Sequence, residues 1–442
     1  MRNYVKISNT IKKFDKIISV QGDKSISIRW ALMASQAIGR SKAYNLLNSE
    51  DVESTLKALK KCGVKVFKKK NYCEIVGDGL NSFNFKNNTT IDAGNSGTLA
   101  RLIMGLLSNY NKSIKIKGDR SLSQRDFSRI IKPLNTFGVK IKSKNSKLPA
   151  TLQGTNYLRP IYFEEKKGSA QVKSCIMLAS LNVPGKTKIK CVNSRDHTER
   201  LFKYLKIPIK IKKISKKYQL IEVEGKKQYN SFNYNIPGDI SSAAFFIVLT
   251  SLLKNSKIII KNVNINKSRT GVIDILKKMN ANIIIKNNKL INNEPVGDIC
   301  VKSSKSLIAV NCKSEINSRA IDEFPLIFLA CAKAKGVSSF KKIGELRHKE
   351  SDRLKVCSNF LRNIGVKIIE SKDSLKIYGN PNLKIEKKLN IKNFMKDHRI
   401  FMMSCIAALT LGGKWVINDK NSVKTSFPNF ILILKKLGAE II

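Results

Sequence analysis

The sequence predicts an α/β protein of two domains, each built from three copies of one repeat. Three observations predict it. First, 442 residues exceed one ordinary domain, and an apolar content of 42% is enough for real cores. Second, an amphipathic helix, a short turn and a β-rich strand recur six times: LKALKKCGVKVF (56–67), IKPLNTFGVKIK (131–142), LFKYLKIPIKIK (201–212), DILKKMNANIII (274–285), SNFLRNIGVKII (358–369) and ILILKKLGAEII (431–442). The copies lie roughly 70 to 85 residues apart, which is the signature of a repeat architecture. Leucine and isoleucine at helical spacing followed by Gly-Val-x-Ile read as a helix, a glycine cap and a buried strand. Third, each of these pieces is preceded by a polar cluster that opens an apolar segment.

The openings are Asp23-Lys-Ser25, Asn95-Ser-Gly-Thr98, Ser169-Ala-Gln171, Asp239-Ile-Ser-Ser242, Asp322-Glu-Phe-Pro325 and Asp397-His-Arg399. Serine, aspartate and asparagine cap helix N-termini, and Pro325 suits a first turn. The segments that follow, such as AAFFIVLTSLL and IFMMSCIAALTLG, are apolar nearly all round, so they are expected to be buried helices. Each repeat therefore reads strand, buried helix, strand, amphipathic helix, strands. If the three repeats of a domain are pseudo-symmetric, their buried helices present their N-termini together. Two such domains facing each other would aim six N-termini at one cleft, a concentrated site for anions.

Composition excludes several classes. The opening residues carry no apolar run, so no secretory signal is expected. The longest apolar runs, such as residues 243–249, are far too short to span a bilayer, and a cytoplasmic protein is expected. Nine scattered cysteines without a Cys-x-x-Cys pair read as reduced core fillers, and the three histidines are isolated from one another, so no metal cluster is expected. The net charge of +51 would suit a polyanion partner, but the lysines are spread evenly and no aromatic-studded basic patch appears. Compositional drift toward lysine fits better. Only 16 of the 83 cations are arginine, so each arginine carries more information, because its rigid fork suits carboxylate and phosphate.

The densest charge lies in Gly344-Glu-Leu-Arg-His-Lys-Glu-Ser-Asp-Arg353. On a helix, Lys349 and Arg353 would share one face, with Glu350 one position off it. Two cations beside a carboxylate could grip an anionic substrate and move a proton. In isolation the segment is a solvated helix with a Glu350–Arg353 pair; the six polar helix starts elsewhere favour the functional alternative. Gly22-Asp-Lys-Ser25 is not a nucleotide-binding loop, because the earlier glycine of that motif is absent.

Ten segments in order carry a family resemblance that runs from about Gly22 to Pro428. They are Gly22-Asp-Lys-Ser-Ile-Ser-Ile-Arg29, Asn95-Ser-Gly-Thr98 with Arg101, Gly118-Asp-Arg-Ser-Leu-Ser-Gln-Arg125, Ser169-Ala-Gln171, Ser194-Arg-Asp-His-Thr-Glu199, Pro237-Gly-Asp239, Ile321-Asp-Glu-Phe-Pro325, Arg347-His-Lys-Glu-Ser-Asp-Arg353, Asp397-His-Arg399 and Thr425-Ser-Phe-Pro428. Together they resemble the 5-enolpyruvylshikimate-3-phosphate synthases (3-phosphoshikimate 1-carboxyvinyltransferases), in the second, more divergent branch of that family. The resemblance implies a two-domain inverse α/β barrel, or prism, with three βαβαββ units and buried helices per domain. The first domain would span residues 22–238 and the second residues 1–21 plus 239–442, with the active site in the interdomain cleft.

The implied reaction moves the enolpyruvyl group of phosphoenolpyruvate to the 5-hydroxyl of shikimate 3-phosphate and releases phosphate. It uses no metal and no organic cofactor, in a monomer without nucleic-acid or membrane partners. By match to the family motifs, Lys24, Gly97, Arg125, Gln171, Arg353 and Arg399 would hold phosphoenolpyruvate. Lys24, Ser25, Arg29, Ser169, Ala170, Gln171, Arg195, Asp322 and Lys349 would hold shikimate 3-phosphate. Asp322, Glu350 and Lys24 would move protons: Asp322 at the substrate hydroxyl, Glu350 at the methylene carbon, Lys24 at the bridging oxygen. Taken alone, Asp322 is an ordinary helix cap, Arg399 an ordinary ion-pair partner and His398 a satisfied structural histidine. The chain departs from the family pattern at Asp126, where proline is usual, at Thr425, where many relatives place lysine, and at Glu345, where part of the family carries an amide. The sibling transferase acting on a UDP-amino sugar shares the fold, but Ser169-Ala-Gln171, Arg195 and residues 349–353 argue against it.

Overall fold

The computed structural model describes residues 3–442. The chain divides into two compact units. The first comprises Gly22–Ile236 together with Ile291–Glu294; the second comprises the residues up to Gln21, Pro237–Leu290 and Pro295–Ile442. The margin after Gln21 lies at the expected place, while the second lies two residues earlier than expected and residues 291–294 return to the first unit, for a hydrogen-bonding reason. Gly238 already exchanges backbone bonds with Asn262 and Asn264, 2.8 Å each, so the chain has joined the second unit before residue 239. Residues 291–294 bond instead to the first unit: Asn293 and Arg200 exchange side-chain-to-carbonyl bonds at 3.0 Å, and the Asn235 N–H reaches Asn292 Oδ1 at 2.8 Å.

One repeat shows the plan. Strand Thr89–Asp92 runs parallel to Ser113–Lys117, and the helix Gly97–Leu107 makes the crossover that a parallel pair requires. A second helix, Ser128–Phe137, leads into strand Lys140–Ser143. That strand pairs antiparallel with Ala150–Gln153, which returns antiparallel against Ser113–Lys117. The same order recurs in Tyr162–Glu165, Lys186–Val192, Tyr218–Glu224 and Ile209–Lys213. The remaining sheet of the first unit takes its leading strand, Asn233–Asn235, from the far end of the segment and sets it parallel to Ile38–Tyr44. In the second unit the leading strand Asp15–Ser19 is supplied from before residue 22 and runs parallel to Lys257–Asn264. Strand Tyr4–Ile7 closes the last sheet against Lys414–Asn418, and Lys6 exchanges backbone bonds with Ile442.

The amphipathic helices end alike in all six repeats. Gly63, Gly138, Lys206, Asn280, Gly365 and Gly438 all have positive φ, between 57° and 105°. Each donates its N–H to the carbonyl three residues back, and the next residue donates five back, as Val64 does to Leu59 and Ile207 to Phe202. This double bond satisfies carbonyls left over at the helix end. Glycine meets the left-handed requirement freely and asparagine tolerates it, but Lys206 carries a Cβ there. Lys206→Gly is therefore expected to stabilise the protein by about 0.5–1 kcal/mol, read as a higher denaturant midpoint at unchanged slope.

The six apolar helices are Lys24–Ala34, Gly97–Leu107, Ala170–Ser180, Ile240–Leu252, Phe324–Ala332 and His398–Leu411. All nine residues of Phe324–Ala332 are buried, as are all but Leu252 in Ile240–Leu252. They form the centres of two separate apolar cores, one per unit. Five of them are capped by the expected side chain: Asp23, Ser96, Ser169, Asp239 and Asp397 accept from the N–H groups of Ile26, Leu99, Val172, Ser241 and Arg399. The sixth is a correction. Asp322 does not cap Phe324–Ala332; Glu323 occupies the cap position without a side-chain cap bond, and Pro325 fills the first turn. Among the described residues, no helix is long and apolar enough to cross a membrane.

Candidate active site

In each unit the N-terminal turns of the buried helices come together. In the second unit Ser241 Oγ donates to Glu323, and Arg399 Nη1 donates to the Ser241 carbonyl at 3.4 Å. That joins the first turns of all three helices. In the first unit Gln171 Nε2 donates to Thr98 Oγ1 at 3.0 Å, and Arg29 links the Lys24–Ala34 helix to Ser174 at 3.0 Å. Clustered first turns place N–H donors and positive dipole ends where an anion can use them.

The cluster of the second unit is centred on Arg353, whose side chain is 1% exposed. It opens the helix Arg353–Asn363, capped by Asp352. Asp397 grips its fork with both oxygens, Nε–Oδ2 at 2.9 Å and Nη2–Oδ1 at 3.2 Å. Glu350 pairs with Nη2, and Asp322 Oδ1 lies 3.4 Å from Nη1. Burial alone would weaken the guanidinium's hold on its proton, but Asp397, Glu350 and Asp322 outweigh it and raise the pKa. Asp397 also accepts from Ser351 Oγ at 2.9 Å and from the Arg399 N–H at 3.0 Å, so it is the fixed anchor. Asp322 and Glu350 are different: their side chains are 21% and 18% exposed. Lys349 Nζ lies 3.6 Å from Asp322. An incoming anion would compete with these two part-exposed carboxylates for Arg353 and Lys349, and would free them for proton transfer.

The helical face expected for Lys349 and Arg353 is not there. Residues Gly344–His348 form a 3₁₀ turn, Lys349 is extended, and the helix starts only at Arg353. The two cations meet through Asp322, not through a shared turn. The surface-helix alternative fails as well, because Arg353 is buried. Arg347 proves to be scaffold. It donates to the Lys372 carbonyl, Asp352, Glu370 and the Ser371 carbonyl, at 2.8, 2.9, 2.8 and 2.8 Å, and pins the 3₁₀ turn to a neighbouring loop.

The first unit holds a second cluster. Lys24 is the first residue of its helix and Ser25 the second; Lys24 Nζ pairs with the buried Asp51 at 2.9 Å. Gly97 opens its helix beside two arginines: a Cβ there would lie 2.7 Å from Arg101 Nη1 and 3.1 Å from Arg125 Nη1. A side chain there would push at least the Arg101 guanidinium aside, so glycine lets both arginines stand close to the helix start. Arg125 reaches Asn95 Oδ1 at 3.2 Å, and Arg101 reaches Gln171 Oε1 at 3.0 Å while stacking over Phe127 at 4.6 Å. Ser169 is the cap and Ala170 the first residue of the helix that carries Gln171. Arg195 is part-buried in the loop before helix His197–Tyr204. Asp126, where proline was the family habit, bonds the N–H and hydroxyl of Ser128 at 2.8 and 2.7 Å and so organises the start of the next helix. Burial raises its pKa, but those two bonds win and hold it below the usual carboxylate range.

Asp51 and Arg101 were not among the expected site residues. Asp51 gave no signal beyond acidic first-turn composition, which any helix shows. Arg101 stood at i+4 from Gly97, a spacing that could have placed it beside the glycine.

Two clusters of arginine, lysine and carboxylate on a six-fold βαβαββ repeat define the class: an α/β enzyme that handles small, multiply charged anions. Residues 8–434 match the family profile of EPSP synthase (3-phosphoshikimate 1-carboxyvinyltransferase). The chain belongs to the EPSP synthase family. It is 40% identical to the 3-phosphoshikimate 1-carboxyvinyltransferase of Petrotoga mobilis over 95% of this chain and 96% of that protein. It is 41% identical to that of Ruthia magnifica over 96% and 95%. The crystal structure of EPSP synthase from Acinetobacter baumannii superposes with a TM-score of 0.86 at 32% identity, covering 99% of both chains. The enolpyruvyl transferase NikO from Streptomyces tendae, at 13% identity and a TM-score of 0.78, shares the fold.

Proposed function

We propose that this protein transfers the enolpyruvyl group of phosphoenolpyruvate to the 5-hydroxyl of shikimate 3-phosphate, by addition and then elimination of phosphate. The observation that carries this reading is the Arg353 cluster, a buried fork with two displaceable carboxylates, within a family match that spans nearly the whole chain. Both substrates bear carboxylate and phosphate, so the site must supply many fixed donors.

In this proposal Arg353, Arg399, Arg125 and Lys24 hold phosphoenolpyruvate, with Gln171 and the Gly97 backbone close by. Ser25, Arg29, Ser169, Ala170, Gln171, Arg195 and Lys349 hold shikimate 3-phosphate together with Lys24 and Asp322. In the addition step Asp322 takes the proton of the attacking hydroxyl and Glu350 delivers one to the methylene carbon. The oxygen bonds to C2 and the double bond is consumed. In the elimination step Glu350 takes a proton back from that methyl carbon, the double bond reforms, and phosphate leaves with Lys24 at its bridging oxygen. In this reading the protein is a cytoplasmic monomer.

The test is phosphate release with phosphoenolpyruvate plus shikimate 3-phosphate, compared with phosphoenolpyruvate plus UDP-N-acetylglucosamine. Release is expected only with the first pair; silence with that pair would sink the reading.

A further inference from the structure

Arg29 is held very differently from Arg353. It is 5% exposed. Its Nε donates to Thr198 Oγ1 at 2.8 Å, its Nη2 to Ser174 Oγ at 3.0 Å, and its Nη1 to the Ser25 carbonyl at 3.1 Å. The two hydroxyls lie 2.7 Å apart and share a hydrogen bond. These three acceptors are neutral. They fix the orientation of the guanidinium, as the carboxylates do around Arg353.

A second contact lies beside the first. Lys173 precedes Ser174 on helix Ala170–Ser180, and Glu199 follows Thr198 on helix His197–Tyr204. Lys173 and Glu199 form an ion pair at 2.5 Å, with side chains 0% and 2% exposed. The two helices are thus joined by two adjacent rungs, 173 to 199 and 174 to 198. A buried ion pair is a poor way to gain stability, since an apolar pair of the same volume usually serves as well or better. Its use here fits a demand for one register between the helices. That register sets where the Thr198 and Ser174 hydroxyls stand, and it carries the loop holding Arg195, three residues before Thr198.

We propose that Ser174 and Thr198 are positioning residues that aim the Arg29 guanidinium at the acidic groups of the hydroxyl-bearing substrate, with the Lys173–Glu199 pair fixing their spacing. The inference rests on the proposed function, because it takes shikimate 3-phosphate as that substrate. An Arg29 whose Nε and Nη2 bonds are gone keeps its charge but loses its aim, so the effect falls on one substrate's affinity and not on the chemistry.

The experiment is calorimetric titration of shikimate 3-phosphate into the unsubstituted protein and into Thr198→Val, Thr198→Ser and Ser174→Ala, with KM for both substrates and kcat alongside. Thr198→Val and Ser174→Ala are expected to weaken shikimate 3-phosphate binding by about 10-fold, as loss of one hydrogen bond to a charged group implies. The KM for phosphoenolpyruvate and kcat should stay within about three-fold, and Thr198→Ser, which keeps the hydroxyl, should restore binding. If Thr198→Val does not fold, as judged by thermal denaturation, Ser174→Ala carries the same comparison. Equal binding in the folded variants, or a serine variant no better than valine, overturns the positioning role alone. Failure of the unsubstituted protein to bind shikimate 3-phosphate overturns the substrate reading and this inference together.

Discussion

Substituting Glu350 by glutamine is expected to lower kcat by about 100-fold or more while changing either KM by less than about five-fold. Glutamine keeps the size of the side chain and can still accept a bond from Arg353, so the packing around the buried guanidinium survives. What it loses is the ability to deliver a proton to carbon and take it back. The proposed reaction needs that transfer in both halves, which is why the loss should appear in turnover. Steady-state kinetics with both substrates varied, and solvent-proton exchange into the methylene group, read the two effects separately. Turnover within a few-fold of the unsubstituted protein would leave Glu350 as a salt-bridge partner of Arg353 and nothing more.

Much of this arrangement is legible in the sequence, and the boundary between legible and hidden follows the range of the interactions. The repeats were visible because their signals are local. A leucine stripe followed by Gly63-Val64, or by Asn280-Ala281, specifies a helix and its Schellman turn within a dozen residues. Five of six caps were visible for the same reason. Asp322 misled because Asp-Glu-Phe-Pro offers two acidic candidates one residue apart, and the helix starts one residue later than the first of them would place it. Residues 344–353 misled more deeply. They carry charge but little apolar periodicity, so nothing local distinguishes a helix from a turn there, and the 3₁₀ turn with its extended Lys349 is imposed by distant partners. Arg347 is held by Glu370 and the carbonyls of Ser371 and Lys372, and Lys24 by Asp51; none of these pairings leaves a mark in local spacing. The return of residues 291–294 to the first unit was hidden likewise, since it rests on single side chains such as Glu294, whose carboxylate lies 2.7 Å from His197 Nδ1.

The largest combined effect on stability and activity is expected from Arg353→Met. Three carboxylates face this guanidinium, and Asp397 is completely buried. Methionine fills similar volume but leaves Asp397 without its bidentate partner, and breaking a buried pair from one side costs about 3–5 kcal/mol. Protonation of one carboxylate would relieve part of that cost, so the variant should be less destabilised at pH 5 than at pH 8. The sign follows from linkage: a carboxylate with a raised folded-state pKa binds more protons folded than unfolded, and its destabilisation fades as pH falls. Arg353→Lys separates charge from geometry. It restores a cation near Asp397 but not the fork that spans both oxygens while reaching Glu350 and Asp322. It should recover most of the stability and little of the phosphoenolpyruvate affinity. Urea denaturation at the two pH values, with phosphoenolpyruvate KM for any folded variant, decides the matter. An Arg353→Met protein within about 1 kcal/mol of the unsubstituted chain at pH 8 would mean that the bonds Asp397 already accepts from Ser351 and the Arg399 N–H suffice for it, and that Arg353 is not the centre of the cluster.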